Sequence, residues 1–440
     1  MSFFFADLGV GVLLALAQIL AFLPWALALG GESGLRSMIA KGEFQRYGTG
    51  GRLFGLVAAI FGAIGDATGR LLPVARQKSL RQQLLIFGGA VAGLVVLLGA
   101  GFAALMPLVQ ERGSLERLGR LYGAVLHLQL VFDVFVFAFL VVLSIWPKGG
   151  AVAVAAFREA IRQPMFWLFL GGALLLMFVF ILLPYFTFGE DLLMMTEIDY
   201  DVIMALAVIF GVFTASISIS DEIEGRTAIT LMSKPLSRRQ FLLGKYLGIL
   251  MACLVMTLLL GWLFNWAILG KKWFDKQEYD AKEPPPALLT QWLENYAPVG
   301  EPRDFLRGTG LWLFQSASLL PGLTLGFCQV MVLLAIAVSL ATRLPMILNV
   351  PICLLVYFLG HLTPVLKLVA GRFQSGEGAG SAVGQMLSFV AQLFNSLLPG
   401  LEYFTPNYSL LVGRILFYCV MYTIVVLLFG LILFEDRDLA

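Results

Sequence analysis

The stretch "SISISDEIEGRTAITLMSKPLSRRQFLLGKYLGIL", Ser216 to Leu250, gathers acids and then bases into one short segment and runs straight back into apolar sequence. Its surroundings make that concentration unusual. Of 440 residues, 59% are hydrophobic and only 13% are charged, with a mean hydropathy of +0.88. Soluble domains carry about 25% charged residues, so the composition implies a polytopic membrane protein and makes this stretch a loop between two spans.

The spans flanking it lie at 202 to 220 and 243 to 269; others lie at 3 to 30, 84 to 108, 122 to 146, 166 to 187, 319 to 341, 346 to 368 and 411 to 433. About 20 apolar residues cross the hydrocarbon, so the pattern predicts nine spans and an all-α membrane fold. The first run ends in "ALALGG", which looks cleavable, but its start carries Asp7 and no Lys or Arg, and it reads as a retained helix. Leu53 to Ile64 and Val383 to Leu398 are too short or too broken to cross alone and read as interfacial or re-entrant segments.

Position rather than sum gives the charges their meaning. The connection 31 to 83 holds eight Lys or Arg against three acids, which places it on the cytoplasmic side and the N-terminus outside. Alternation then puts the acidic "GEDLLMMTEIDYD" outside and the charged loop, with Arg226, Lys234, Arg238, Arg239 and Lys245, inside. The stretches 270 to 310 and 369 to 410 fall outside, and the tail "EDRDLA" falls inside. Three spans precede residue 150 and six follow it, so the chain divides there. A short helix from Pro286 to Tyr296 is expected in the Pro- and Trp-containing outer loop.

The formal charge of +2, without one long basic stripe, gives nucleic acid no electrostatic footprint. Cys253, Cys328, Cys353 and Cys419 sit far apart in apolar runs, without CxxC spacing, and read as small packing residues. A histidine-rich metal site would need both histidines of the chain, His127 and His361. No metal, catalytic or cofactor-binding residue is assigned.

In the charged loop, Asp221 is placed to cap a short helix, with Glu224 three residues on as its reciprocal partner. Pro235 stops that helix. Ser237 and Gln240 then form a second capping box that opens the span at Phe241, with Arg238, Arg239 and Lys245 at the headgroup level. The bases serve as topology anchors. An acid-headed helix joined rigidly to two spans is also a handle that a peripheral partner can push; an ordinary capped loop is the plainer reading.

These residues resemble a family. "DEIEGRTAITLMSKPLSRRQFLLGKYLG" is similar to the E-x-E-x-G-T…L-L-S-x-P-[ILV]-[ST]-R…G-K-[YL] loop of ATP-binding-cassette (ABC) type-2 exporter permeases whose ATPase is a separate subunit. Glu222, Glu224, Gly225, Ser233, Pro235, Ser237, Arg238, Gly244, Lys245 and Tyr246 match it, while Arg226 stands between Gly225 and Thr227, where the pattern has them adjacent. "AVAVAAFREAIRQPMFWLFL" resembles the family's amphipathic elbow helix, with Arg158, Glu159 and Arg162 on its polar side and Pro164 as the break. "LLPGLEYFTP" resembles its outer re-entrant segment.

The resemblance covers residues 151 to 440: elbow helix 151 to 164, coupling loop 221 to 240, outer loop 270 to 318 and re-entrant segment 383 to 406. Residues 1 to 150 read as a three-helix addition. The resemblance implies a permease in the cytoplasmic (inner) membrane, paired with a second copy or a related permease, whose coupling residues Asp221, Glu222, Glu224, Gly225, Arg226 and Thr227 rest on a pair of cytosolic ABC ATPases. Lys234, Pro235, Ser237, Arg238 and Lys245 would form the loop–helix junction. The ATP is then hydrolysed by the partner, because this chain has no G-x-x-x-x-G-K-[ST] loop: in "LLGKY", Tyr246 follows Lys245.

Polar residues inside spans are functional candidates by default. Gln129 and Asp133 fall one helical turn apart on one face, and they, with Asn265, read as interhelical hydrogen-bonding groups, with a proton relay or substrate contact as the functional alternative. Two other classes compete. "GESG" at Gly31 to Gly34 has the G-x-S-G form of a membrane-embedded serine hydrolase or protease based on Ser33, with a histidine as base. A non-transporting membrane scaffold would explain the spans but not the handle.

Overall fold

The computed structural model describes residues 7–21, 80–109, 111–183, 190–224, 237–279, 286–375, 385–386, 388–390, 392–393, 399, 401–404 and 412–435. Among these residues there is no strand. The described part of each of the nine apolar runs lies on a helix: α1 Asp7–Ala21, α2 Leu80–Leu105, α3 Arg112–Ile145, α5 Pro164–Leu182, α6 Asp191–Glu224, α7 Arg238–Tyr279, α9 Glu301–Ala341, α10 Met346–Ser375 and α11 Val412–Glu435. Two further helices are too short or too polar to count as spans, α4 Pro147–Arg162 and α8 Ala287–Tyr296. Helices α3, α5, α6, α7, α9 and α11 are long and apolar enough to cross a membrane; α1, α2 and α10 contribute shorter apolar stretches. The protein is an all-helical, multi-pass membrane protein. The interfacial run 53 to 64 and the basic connection around it up to residue 79, with Ser33, lie outside the described residues.

Proline sets the boundaries where the sequence places it. Gln163 is extended (φ −63°, ψ 134°) and Pro164 takes the first position of α5, where its missing N–H costs nothing. Pro286 precedes α8 as expected. Gly300 opens α9 at φ +117°, a backbone region closed to most side chains.

The chain forms two compact units, drawn from Met1–Pro147 with Lys282–Ser316 and from Lys148–Ala281 with Ala317–Ala440. In the first, α3 lies so close to the first part of α9 that a Cβ on Gly119 would overlap the Phe305 carbonyl, and one on Gly308 would overlap that of Glu116. Small residues allow this approach, and Thr309 Oγ1 donates across it to Gly119 O at 3.0 Å. Phe305, Met106 and Leu115 form a buried cluster there, while Leu289 and Leu293 of α8 and Ala297 just after it bury against Leu306 and Leu311. Within the expected outer loop 270 to 318, the described residues from Pro286 to Ser316 supply part of the packing of the N-terminal unit.

In the second unit α6 and α7 pack antiparallel, with α5 against both. α10 packs on α6, and α11 on α7. Close approach again relies on glycine: a Cβ on Gly211 would lie 2.9 Å from Cys253 Sγ, and one on Gly430 2.8 Å from Ser339 Cβ. The four cysteines are buried and unbridged, as packing residues should be. In the expected re-entrant segment, Leu401–Phe404 makes one 3-10 turn against α10.

Candidate functional site

The "SISIS" run ends α6. In a helix, residues two apart point to opposite sides, so Ser216 and Ser220 share one face and Ser218 takes the other. Asn349 of α10 donates to Ser216 Oγ at 2.9 Å and to Ala337 O of α9 at 3.0 Å. Ser220 donates to Leu344 O, in the turn between α9 and α10, at 3.2 Å. One face of the α6 end is thus bonded to the α9–α10 corner.

The other face meets a buried cation. Lys245 of α7 is 4% exposed, and its ammonium has three N–H donors. It finds three acceptors: Glu222 Oε1 at 2.6 Å, Ser218 Oγ at 2.8 Å and Glu159 Oε2 at 3.0 Å. Ser218 in turn donates to Glu159 Oε1 at 3.0 Å, so its hydroxyl gives and receives. A lysine so buried needs partners of this kind, because desolvating an unpaired charge costs several kcal/mol, about as much as folding leaves to spare. Three helices, α4, α6 and α7, meet on one atom, Lys245 Nζ.

The elbow helix is held against α7 by shape as well as charge. α4 buries Gly149, Gly150, Ala153, Ala156 and Ala160, and exposes Arg158, Glu159 and Arg162, the amphipathic division read from the sequence. Gly244 and Gly248 of α7 face that small-residue side. A Cβ on Gly244 would lie 2.7 Å from Val152 Cβ, and one on Gly248 would overlap Ala153 O and lie 2.7 Å from Ala156 Cβ. Thr214 Oγ1 also donates to Gln163 Oε1 at 3.2 Å, fixing the α4–α5 corner to α6.

At the start of α7 the capping box forms as expected: Ser237 N–H donates to Gln240 Oε1 at 3.1 Å, and Gln240 N–H donates to Ser237 Oγ at 3.2 Å. Arg238 reaches to the carbonyls of Phe434 and Glu435, each at 2.8 Å, and Arg343 to that of Leu433 at 2.8 Å. Both cations close the carbonyl end of α11, where the helix dipole favours positive charge.

One expectation differs from the structure. Asp221 caps no separate helix, since α6 continues without a break to Glu224; the apolar contacts of Ile219 and Ile223, both buried, carry the helix past the acids. Lys245 is buried within the bundle, where two carboxylates and a hydroxyl replace its water. Asp221 is exposed. Gly225, Arg226, Thr227, Lys234 and Pro235 lie outside the described residues.

The intramembrane polar candidates do not join this site. Gln129 hydrogen-bonds Gln18 of α1, and Asn265 donates to Gly261 O of its own helix at 3.5 Å. Asp133 Oδ1 has no hydrogen-bond partner among the described residues. His127 lies 3.2 Å from Ser316 Oγ in the first unit, and His361 belongs to the second. Among the described residues no three His, Cys, Asp or Glu side chains gather as a metal site would require. Sequence reading missed Ser218 and Asn349, for which the only signal was serine at every second position of a span.

Residues 160–293, which run from the end of the elbow helix through α5, α6, the charged loop and α7, match the model of a family described as ABC-2 family transporter protein. No curated protein and no solved structure matches the chain.

Proposed function

We propose that this chain is the transmembrane permease subunit of an ABC exporter in the cytoplasmic membrane, driven by ATP hydrolysed on a separate ATPase subunit. The ABC-2 family match over residues 160–293 supports a permease component, and the Lys245 cluster lies within it apart from Glu159, its immediate neighbour in sequence. The observation that carries the mechanism is the convergence of Glu159, Ser218 and Glu222 on Lys245 at the charged end of α6 and α7. A push on the loop that joins these helices cannot move one alone. It displaces α6, α7 and the elbow together, and through Ser216 and Ser220 the α9–α10 corner with them.

In this reading Asp221, Glu224 and the loop from Gly225 to Pro235 touch the ATPase, while Glu222 faces inward and transmits. The permease pairs with a second copy or a related chain, its N-terminus outside and its C-terminus cytoplasmic. Purification of the tagged protein in mild detergent tests the proposal, with identification of co-purifying chains and an ATP hydrolysis assay. Recovery of an ATPase in fixed ratio, lost when Asp221 and Glu224 are both replaced by Ala, is the expected result. Absence of any ATPase across several mild detergents overturns it and favours the scaffold or hydrolase readings.

A further inference from the structure

In α8 the protein covers only half of the apolar side. Leu289 and Leu293, with Ala297 just after the helix, are buried against Leu306 and Leu311 at the head of α9. Beside that strip a second apolar row follows the helix at every fourth residue: Leu288, Trp292 and Tyr296, exposed by 72%, 49% and 75%. Gln291, Glu294 and Asn295 are exposed as well. At 3.6 residues per turn the Leu288 row stands about 100° round the helix from the buried strip, and the three polar residues lie on the side away from both.

The helices beside α8 mark its depth. α3 carries Arg112, Glu116, Arg117 and Arg120 in its first turns, and from there to Ile145 Asp133 is its one acidic or basic residue besides His127. α9 carries Glu301, Arg303, Asp304 and Arg307 first, and then no acid, Lys or Arg as far as Ala341. The two changes fall at one level, since Thr309 donates to Gly119 O and a Cβ on Gly123 would lie 3.1 Å from Trp312 Cβ. α8 lies there too: a Cβ on Gly310, just past Arg307, would overlap Leu289 Cδ1. Where adjacent spanning helices turn together from charged to apolar, headgroups give way to acyl chains.

The exposed row has the chemistry of that boundary. Trp and Tyr each join an apolar ring to one polar tip, and both concentrate at membrane–water interfaces. Trp292 and Tyr296 are ring neighbours, with centroids 6.1 Å apart, so the row presents one continuous surface. In water it would leave three large apolar side chains uncovered. Laid on a bilayer, the helix covers one apolar row with protein and the other with lipid, and keeps Gln291, Glu294 and Asn295 wet.

We propose that α8 is an interfacial membrane helix, and that its Leu288, Trp292 and Tyr296 row inserts at the headgroup–acyl boundary of the leaflet where α3 and α9 enter the hydrocarbon. The partner is the bilayer surface itself. Through Leu289 and Leu293 the helix then sets the depth at which the N-terminal unit rides in the membrane. This role is independent of the exporter reading.

The test is spin labelling of the full chain in vesicles of equal parts phosphatidylethanolamine and phosphatidylglycerol, with Leu288→Cys, Trp292→Cys, Tyr296→Cys, Gln291→Cys and Glu294→Cys made one at a time. The four native cysteines are buried, so the unsubstituted protein supplies the blank. Collision of each label with oxygen, which concentrates in lipid, is compared with collision with a water-soluble nickel chelate. The expected result is an oxygen-to-nickel ratio several-fold higher at 288, 292 and 296 than at 291 and 294. Equal ratios on the two sides would place α8 in water and overturn the proposal. Low collision with both reagents at the three row positions would mean that another protein surface covers the row, and overturns it equally.

Discussion

Lys245 Nζ and Glu159 Oε2 lie 3.0 Å apart although 86 residues separate them in the chain. The pair joins the elbow helix to α7 at the depth where Ser218 and Glu222 of α6 also arrive. Because all three ammonium protons are used, the three helix ends move as one body, and loss of any acceptor loosens the joint.

Lys245→Met removes the shared cation and leaves Glu159 and Glu222 facing each other. Both carboxylates keep some access to water, so the cost falls below the roughly 3–5 kcal/mol of a broken, fully buried pair. The expected outcome is a melting temperature lower by several degrees, with ATPase stimulation in the assembled complex largely lost. Adding Glu159→Gln should cost much less in the Lys245→Met background than in the wild type, and strictly additive melting shifts would refute the coupling.

Gly248→Leu places a branched side chain where even a Cβ overlaps the Ala153 carbonyl. The elbow must then leave α7, by a mechanism unrelated to charge. Hydrogen exchange along α4 provides the reporter: amides from Ala153 to Ala160 should exchange faster in Gly248→Leu than in the parent. Unchanged exchange there would show that α4 is not held by this contact.

Ser237→Ala deletes one half of the capping box, with an expected cost of about 1 kcal/mol confined to the first turn of α7. Hydrogen exchange at Arg239 and Gln240 should accelerate, while exchange near the middle of α7 stays as it was. Uniform acceleration along the helix, or none, would contradict the cap.

Arg238→Ala combined with Arg343→Ala strips the cations from the last carbonyls of α11. Exchange in the final turn before Glu435 should rise more than for either single substitution, since each arginine serves different carbonyls. The Lys245 cluster should be untouched, so ATPase stimulation serves as the control that must not change.

Much of the fold was legible because the bilayer imposes it. Apolar runs near 202 to 220 and 243 to 269 have to be helices to satisfy their own backbone groups, and Ser237 with Gln240 is a signal contained in four residues. The elbow was readable for the same reason, as its alanines and its charges separate at helical spacing. The small helix after Pro286 was visible too, but its membership in the N-terminal unit was not. That membership rests on Gly119 and Gly308 meeting Phe305 and Glu116 across nearly 190 residues, and glycine carries no mark of what will approach it.

The sequence by itself determined that this is a helical membrane protein, where its helices run, and that one loop concentrates its organised charge, because hydrophobic length, capping and charge are properties of short windows. Tertiary structure alone decided what the charges do. Lys245 read as one anchor among several bases, and Glu222 as one acid of a handle; only the convergence of α4, α6 and α7 makes them a buried joint, because a desolvated ammonium takes whichever acceptors the packing brings to its three protons.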